Sequence, residues 1–544
     1  MKHVKVLDCT LRDGGYVVDS IFGDNVICGI IEKLCKSKID IIEVGFLKDI
    51  EHKNGSSTYS NLNQLKKYLP KERNQTSFAV MIDYGRYTIE NLPKYDGETI
   101  DSIRNCFFKK DRFQAKKSSE FIKAQGYKLF VQPVDILGYN DKELLELIED
   151  VNTIKPYAFS IVDTFGSMYE EDLIRVFSLL DHNLDKSIKI GFHSHNNLQL
   201  SFALSQKLMQ ISQDKRDIII DATLYGMGRG AGNTNTELLL DYLNRKQDYM
   251  YDINELLDLI DIYISPIAKE KHWGYSIPYF IAGMYSTHVH NITYLLDKHK
   301  VSSKDMQIII SSLDETVKKR YDYDNLENVY IEYFNNEIDD EKSIIKLKEC
   351  LDGRDILILA PGSNLEKYKN KIEEFCGQNK NLIAIAINIY NNLADILFFS
   401  NPMRYNYALS KYPDLIGKKK KIVTSNIRVE ADENMYMVNY NNLLIRKYAH
   451  FDNSMMLFLN LLQKLNARNI YFAGFDGYTS KNNYYDKSLQ TYMSSEDRNE
   501  LNMEIEDMLL NLKNNNQKFY FEFITPSLYE DVSAQKSLLN FSKH

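Results

Sequence analysis

Between residues 1 and 245 the chain alternates short apolar runs, eight of them, with amphipathic stretches of helical period. Residues 4–9, 39–44, 77–82, 103–108, 128–132, 159–162, 188–192 and 218–222 read as strands. Helical candidates lie among them at 26–37, 116–125, 142–154, 170–180, 198–211 and 234–243. A dozen or more residues between strands is long enough for parallel crossovers, so the repeat predicts α/β architecture. Eight strands, each followed by a helix, in roughly 240 residues is the requirement of a TIM (β/α)8 barrel.

Polar residues gather where these strands end. Arg12 and Asp13 follow the first strand, Glu43 closes the second, Asp83 follows the third, and Lys109 and Lys110 follow the fourth. Gln132 closes the fifth, Asp163 and Thr164 follow the sixth, His193 and His195 the seventh, and Thr223 the eighth. In a barrel those ends form one rim, where such enzymes place their chemistry. One carboxylate and two imidazoles can hold a divalent metal with open positions, and Asp13, His193 and His195 are the set that offers this. The two histidines alternate along an extended segment, so both face the mouth only if that segment twists or bulges. Asn233 offers a fourth oxygen from the loop 226–234, whose glycines let it fold over the rim. A 2-oxo acid chelates such a metal, and Arg12 beside it stabilises the enolate charge. Glu43, Gln132 and Thr164 are the candidate substrate contacts. The bland alternative, an Arg12–Asp13 ion pair at a strand end, is outweighed by the His-x-His pair and the glycine loop.

Beyond residue 245 the alternation stops. Residues 246–320 read as a helical extension containing His288 and His290, which do not share a helix face and are expected to be structural. Residues 321–349 are acidic and tyrosine-rich, as a linker would be. A second α/β unit spans 350–544, with strands at 355–359, 382–387, 396–399 and 469–472, and is expected to be an open Rossmann-like sheet. Its loop 360–364, rich in small residues, precedes a helix whose amides could cradle a phosphate.

A net charge of -8 over 544 residues gives no basic field for nucleic acid, and the lysine run 418–421 is expected to be a solvated loop. No apolar run is long enough for a membrane span and no signal-peptide core follows Met1, so a cytoplasmic location is expected. Six scattered cysteines without C-x-x-C spacing predict reduced thiols, and Cys9 is expected to be a small apolar strand-end residue.

Three segments carry a resemblance to a known family. Leu7-Asp8-Cys9-Thr10-Leu11-Arg12-Asp13-Gly14, Gly191-Phe192-His193-Ser194-His195-Asn196-Asn197 and Gly230-Ala231-Gly232-Asn233-Thr234 resemble the signature regions of the DRE-TIM metallolyases. That group includes 4-hydroxy-2-oxovalerate aldolase, hydroxymethylglutaryl-CoA lyase and the isopropylmalate and homocitrate synthases. The resemblance, covering about residues 1–240, implies Mn2+, Mg2+ or Co2+ on Asp13, His193, His195 and Asn233, with Arg12 on the enolate. It departs at Tyr16, where the aldolases place a histidine base; Tyr16 is the replacement candidate, although an unperturbed phenol pKa of about 10 makes a poor base. The implied activity is a metal-dependent aldolase or lyase working beside a 2-oxo acid. A Claisen-type transfer from acyl-CoA, or a binding role without turnover, is the alternative.

Residues 350–544 resemble the nucleotide-binding fold of small bacterial sialyltransferases and motility-accessory proteins. The carriers are the segments 358–365, 399–402, 453–455, 470–476 and 525–527 with Asn388. This implies a nucleotide or nucleotide-sugar pocket near Gly362, Asn388, Asn401 and Ser454, and a place in surface-polysaccharide synthesis. Departures stand at Pro361 and Met455, and no histidine lies between Asp476 and Thr525. A homo-oligomer is compatible with the whole.

Overall fold

The structure is a computed structural model. It describes residues 3–534 apart from 74, 214, 300, 335–337, 449, 480–482, 487–494 and 516–518. The chain divides into two compact units, residues 1–326 and 327–544.

The first unit contains a closed parallel barrel of eight strands. In order these are β1 (Val4–Asp8), β2 (Ile41–Leu47), β3 (Ser77–Asp83), β4 (Ser102–Phe107), β5 (Lys128–Pro133), β6 (Ala158–Asp163), β7 (Lys189–Ser194) and β8 (Ile218–Ala222). Each pairs with its sequence neighbour, and β1 closes the ring by pairing with both β2 and β8, through Leu7 with Ile41 and Val4 with Ile218. The extra pair Thr58–Tyr59 hangs on the end of β2. Every expected strand is present, with ends shifted by a few residues as strand boundaries commonly are.

The two-residue period of a strand explains how one sequence builds both a core and a site. Leu7, Ile41, Ala79, Phe130, Ala158 and Ile219 form an apolar plug inside the barrel. Two residues further along the same faces come Cys9, Glu43, Gln132, Ser160 and Asp221, all buried. The inward rows thus turn from apolar to polar toward the C-terminal rim. Residues of the opposite parity, such as Val6, Ile42, Val80, Ile103 and Ile190, pack outward against the helices.

The extension folds as helices, including Ile253–Leu259, Ile277–Met284, Val289–His299 and Ser303–Ser312. It reaches the barrel rim: Trp273 Nε1 donates to the Tyr225 carbonyl at 3.0 Å, and Lys319 pairs with Asp135 at 2.8 Å. The expected linker is largely helical instead, with helices Tyr323–Phe334 and Glu341–Leu351. Their aromatic and aliphatic residues, Leu326, Tyr330, Leu347 and Leu351, are buried, which a solvated linker would not do.

The second unit is an open, wholly parallel sheet. Its strands are β9 (Asp355–Leu359), β10 (Leu382–Ile387), β11 (Ile396–Phe399), β12 (Lys420–Thr424), β13 (Met435–Val438), β14 (Asn469–Ala473) and β15 (Tyr520–Phe523), in the order β13-β12-β11-β10-β9-β14-β15. The order reverses between β9 and β14, a topological switch point. The lysine run 418–421 is not wholly a solvated loop: it enters β12 and buries Lys421, whose amine lies 2.6 Å from Asp432. A strand in the middle of a sheet alternates faces, so one lysine of a run is forced inward and must find a carboxylate. Among the described residues no helix is long and apolar enough to cross a membrane.

Candidate active site

The C-terminal rim of the barrel brings Asp13, His193 and His195 together, with one ligand atom from each within 4.8 Å of the others. Asp13 lies in the turn after β1, and His193 is an inward residue of β7. The chain leaves the strand at Ser194, and His195 bridges in antiparallel fashion to Asn233. That departure answers the alternation problem: the second imidazole reaches the mouth because its backbone no longer follows the strand. The two rings stand edge to face, centroids 5.0 Å apart.

Asn233 donates to Asp13 Oδ2 at 2.6 Å, while its Oδ1 is buried without a hydrogen-bond partner. A buried orphan acceptor costs free energy unless something satisfies it, and a cation would. The loop 226–234 lies directly on Asp13 and carries Asn233. A Cβ on Gly228 would stand 2.3 Å from Asn233 Nδ2 and 3.2 Å from Asp13 Oδ2; Gly232 has φ +78° and no room beside the Gly226 carbonyl. Any larger residue at these positions displaces the loop from the site.

A buried charge network surrounds Asp13 and His193. Arg12 donates from Nη1 to Asp13 Oδ1 at 2.7 Å and from Nε to Glu43 Oε2 at 2.8 Å. Arg104, fully buried, donates to the same Glu43 oxygen at 2.7 Å and pairs with Asp221. Asp221 in turn lies 3.0 Å from His193 Nδ1. Gln132, with its amide oriented to suit its neighbours, accepts from Arg104 Nη2 at 2.9 Å and Ser160 Oγ at 2.6 Å. Arg104 and Asp221 were missed from the sequence, because an arginine or aspartate inside an apolar strand gives no sign of which face it takes. The inward parity shared with Glu43 and His193 was the available signal.

Burial alone would raise the Asp13 carboxyl, but Arg12, His195 and His193 hold it well below the usual carboxylate range. Burial depresses His195 to about 3, Asp13 opposing, so its ring is neutral and ready to ligate. Burial raises the Tyr16 phenol, and Arg229 offsets this only in part. The Tyr16 ring packs edge-on to Phe46 at 5.6 Å, with the Arg229 guanidinium 3.9 Å above its centre. Thr164 is turned to another use, accepting from the Asp135 amide at 2.7 Å. Cys9 is buried and donates to the Ala222 carbonyl at 3.4 Å, and burial pushes its thiol up. His288 and His290 sit in one cluster with Tyr321, ring centroids 4.8 to 5.3 Å apart. Burial lowers His288 to about 3, with Arg229, His290 and His195 adding to the effect.

In the second unit Gly362, Asn388, Asn401 and Ser454 all line one cavity of about 570 Å³ at the switch point. Asn388 holds it together in a left-handed conformation (φ +55°), accepting from the Ser400 and Asn401 amides at 3.0 and 3.3 Å and donating to Ser454 Oγ at 2.7 Å. Asn401 caps the helix Pro402–Lys411. The loop 360–364 is not an open phosphate cradle, because Asp476 Oδ2 already takes the Asn364 amide at 2.7 Å and the Ser363 hydroxyl at 3.1 Å. His450, also lining the cavity, points Nδ1 at Glu504, a pairing that sequence separation concealed.

Fold and site define a TIM-barrel enzyme with a metal-competent rim. Residues 100–264 match the family model described as HMGL-like. That segment carries His193, His195 and Asn233; Arg12 and Asp13 precede it and are placed by geometry. The chain is similar to oxaloacetate decarboxylase of Mycobacterium tuberculosis, 26% identical over 245 residues, 44% of this chain and 70% of that protein. It is similar to 4-hydroxy-2-oxovalerate aldolase of Chloroflexus aurantiacus, 25% identical over 301 residues, 53% of this chain and 83% of the other. Among solved structures it is similar to the N-terminal domain of a candidate aldolase from Bacteroides vulgatus, 26% identical, covering 54% of this chain and 96% of that one, with a TM-score of 0.46.

Proposed function

We propose that the barrel is a divalent-metal-dependent aldolase that makes or breaks the carbon–carbon bond next to a 2-oxo acid through a pyruvate-type enolate. Carbon–carbon lyase is the class its similar proteins share. The observation that carries the finer reading is the convergence of Asp13, His193 and His195 beside Arg12, whose Nη2 is buried and without a partner. Mn2+, Mg2+ or Co2+ held by these ligands, with Asn233, would supply Lewis-acid stabilisation of an enolate oxygen.

The protein's own groups do the rest. Asp13 and Glu43 fix the Arg12 plane, so that Nη2 meets charge developing on a substrate oxygen, an interaction strongest in the transition state. The Asp221 carboxylate, 3.0 Å from His193 Nδ1, would favour the tautomer with its proton there, which would leave Nε2 to ligate. Glu43 and Gln132 shape the substrate site through Arg12 and Arg104, and Thr164 does so through the loop at Asp135. Tyr16 remains a neutral phenol, able to donate a hydrogen bond. In the condensing direction a proton leaves the methyl carbon of the 2-oxo acid, and that carbon's electron pair bonds to an aldehyde carbonyl carbon. The aldehyde oxygen then takes a proton, giving a 4-hydroxy-2-oxo acid; cleavage is the reverse.

Deuterium exchange at the pyruvate methyl, followed by NMR with Mn2+ or Co2+, tests this. Exchange lost in Asp13→Asn supports it; an intact, metal-loaded protein showing neither exchange nor turnover of any 2-oxo acid would refute it.

For the second unit we propose a nucleotide or nucleotide-sugar site, on the convergence of Gly362, Asn388, Asn401 and Ser454 on one cavity at the switch point. Titration with CMP and other nucleotides, read as thermal shift, tests it; no shift with any nucleotide counts against it.

A further inference from the structure

The side of the barrel mouth beyond Arg12 carries more cation than the aldol chemistry uses. Phe46 and Tyr16 form an aromatic pair there, and three cations lie on it. Arg12 is 5.8 Å from the Phe46 centroid, Lys48 Nζ is 3.8 Å above the same ring, and the Arg229 guanidinium lies 3.9 Å from the Tyr16 centroid. Arg12 is buried and spoken for by Asp13 and Glu43. Among the described residues Lys48 has one carboxylate within 4.0 Å, Asp83 at 3.8 Å, and shares it with Arg86 at 3.5 Å. Arg229 has no carboxylate within 4.0 Å among the described residues. Burial lowers the Lys48 amine; Asp83 opposes this, while Arg86, Arg12 and Arg229 add to it, which places these groups in one field.

Two features make Arg229 more than a surplus charge. It follows Gly228, which touches Asp13 and Asn233, so the loop that covers the metal ligands also aims the guanidinium. A guanidinium held 3.9 Å over a ring face is positioned by that ring, and its planar fork of N–H donors suits a carboxylate or phosphate gripped in bidentate fashion. The carboxylate of a 2-oxo acid is not the natural occupant, since that group belongs with the metal ligands and Arg12 deeper in the barrel. Arg229 and Tyr16 are half-buried, nearer the mouth.

We propose that Arg229, laid on Tyr16 and flanked by Lys48, is an anion clamp for the second reactant, so that the aldehyde joined to or released from the 2-oxo acid bears a carboxylate or phosphate. This rests on the aldolase reading of the rim. It also gives Tyr16 a positioning role, as the platform that sets the plane of Arg229.

Matched aldehydes test it in the full-length, Mn2+-loaded protein. Glyceraldehyde 3-phosphate is set against glyceraldehyde, and succinic semialdehyde against butanal, each with pyruvate. The kcat/KM ratio of charged to neutral partner is read within one preparation, so partial misfolding cancels. The wild type should favour one charged partner by about 10- to 100-fold, the worth of hydrogen bonds between charged groups, and which pair does so tells phosphate from carboxylate. Arg229→Gln should collapse that ratio, and Arg229→Lys should keep part of it. Tyr16→Phe should preserve the ratio and Tyr16→Leu reduce it, whereas a proton-transfer role for the phenol would lower kcat for charged and neutral partners alike in both variants and leave the ratio unchanged. Calorimetry with glycerol 3-phosphate, glycerol, butyrate and butanol reads the clamp without turnover. Anion binding that depends on Arg229, in a protein that exchanges no pyruvate protons, upholds the clamp and sinks the aldolase reading. Exchange with no anion preference, or an Arg229→Gln effect confined to the KM for pyruvate, overturns the clamp and spares the reading.

Discussion

The barrel rim and the switch-point cavity of the second sheet are built alike, from polar residues where parallel strands end, yet they spend those residues differently. In the second cavity Asn388, Asn401 and Asp476 satisfy backbone amides of the loops that line it, which pins those loops, and of these three only Asp476 leaves an atom, Oδ1, buried without a partner. At the rim, charged groups satisfy one another and still leave Asn233 Oδ1 and Arg12 Nη2 buried and unpartnered, on residues hydrogen-bonded to Asp13 of the Asp13, His193 and His195 cluster. A polar residue at a strand end is therefore weak testimony for a site. Polar atoms left unsatisfied by the fold are stronger, because folding alone gives no reason to bury them.

The comparison breaks most visibly at Asp13. On the proposed reading Asp13→Asn removes a metal ligand, and it leaves Arg12 short of a partner, so pyruvate exchange should fall by at least about 10³-fold, with metal affinity by calorimetry falling alongside. Asp221→Asn comes next. It keeps the shape but weakens the hold on His193 and removes one of the two carboxylates that neutralise Arg104, and should lower metal affinity or activity by about 10- to 100-fold. If Asp221→Asn lost nothing while Asp13→Asn lost everything, the supporting network would be structural only.

Asp8 sharpens the contrast through pH. It lies five residues before Asp13 and is as deeply buried, but it is held by the Thr10 amide at 3.0 Å and Thr236 Oγ1 at 2.8 Å, with no cation. Burial raises it to about 6, the hydrogen bonds opposing. From an unfolded value near 3.9 up to about 6 the folded state keeps a proton that the unfolded state has released. Stability therefore falls as pH rises through that window and levels off above it. The span amounts to about 2–3 kcal/mol for a shift of this size. Asp8→Asn should flatten it, because Thr236 can reverse its hydroxyl to receive the amide. Trp273, the one tryptophan in the sequence, lies in the barrel unit, so its fluorescence in urea at pH 4.5 and pH 7 reads this transition.

What the sequence made legible follows the same division. The eight strands spaced by helical stretches gave the barrel, and the convergence of Arg12, Asp13, His193, His195 and Asn233 at one rim was readable because short motifs put rare residue types at strand ends. Glu43 and Gln132 were readable as rim residues but not as holders of Arg104, since that pairing depends on which face of β4 turns inward. Asp221 was hidden inside the apolar run of β8. In the second unit β12, β13 and β15 escaped notice: lysines and methionines mask β12 and β13, and β15 alternates tyrosine and glutamate with phenylalanine. The helices of the expected linker were masked by acidic residues, whose cost is small on a solvated helix face.

The smallest effect belongs to Asn388, and it asks whether the second cavity is pinned by its own residues. Its left-handed backbone suits asparagine or glycine and costs alanine about 1 kcal/mol. Asn388→Ala also frees the Ser400 and Asn401 amides and Ser454 Oγ, each of which water at the cavity can partly satisfy. A loss of about 1–2 kcal/mol is expected, seen as faster hydrogen exchange of amides in β10 and β11 with barrel amides unmoved. Asn388→Gly keeps the backbone relaxed and lacks the same hydrogen bonds, so it should be less damaging than alanine by the conformational part alone. If the two variants were equal, the strain at Asn388 would carry no weight. If neither changed exchange, the asparagine would not be pinning the loops, and its side chain would be as unspent as those at the rim.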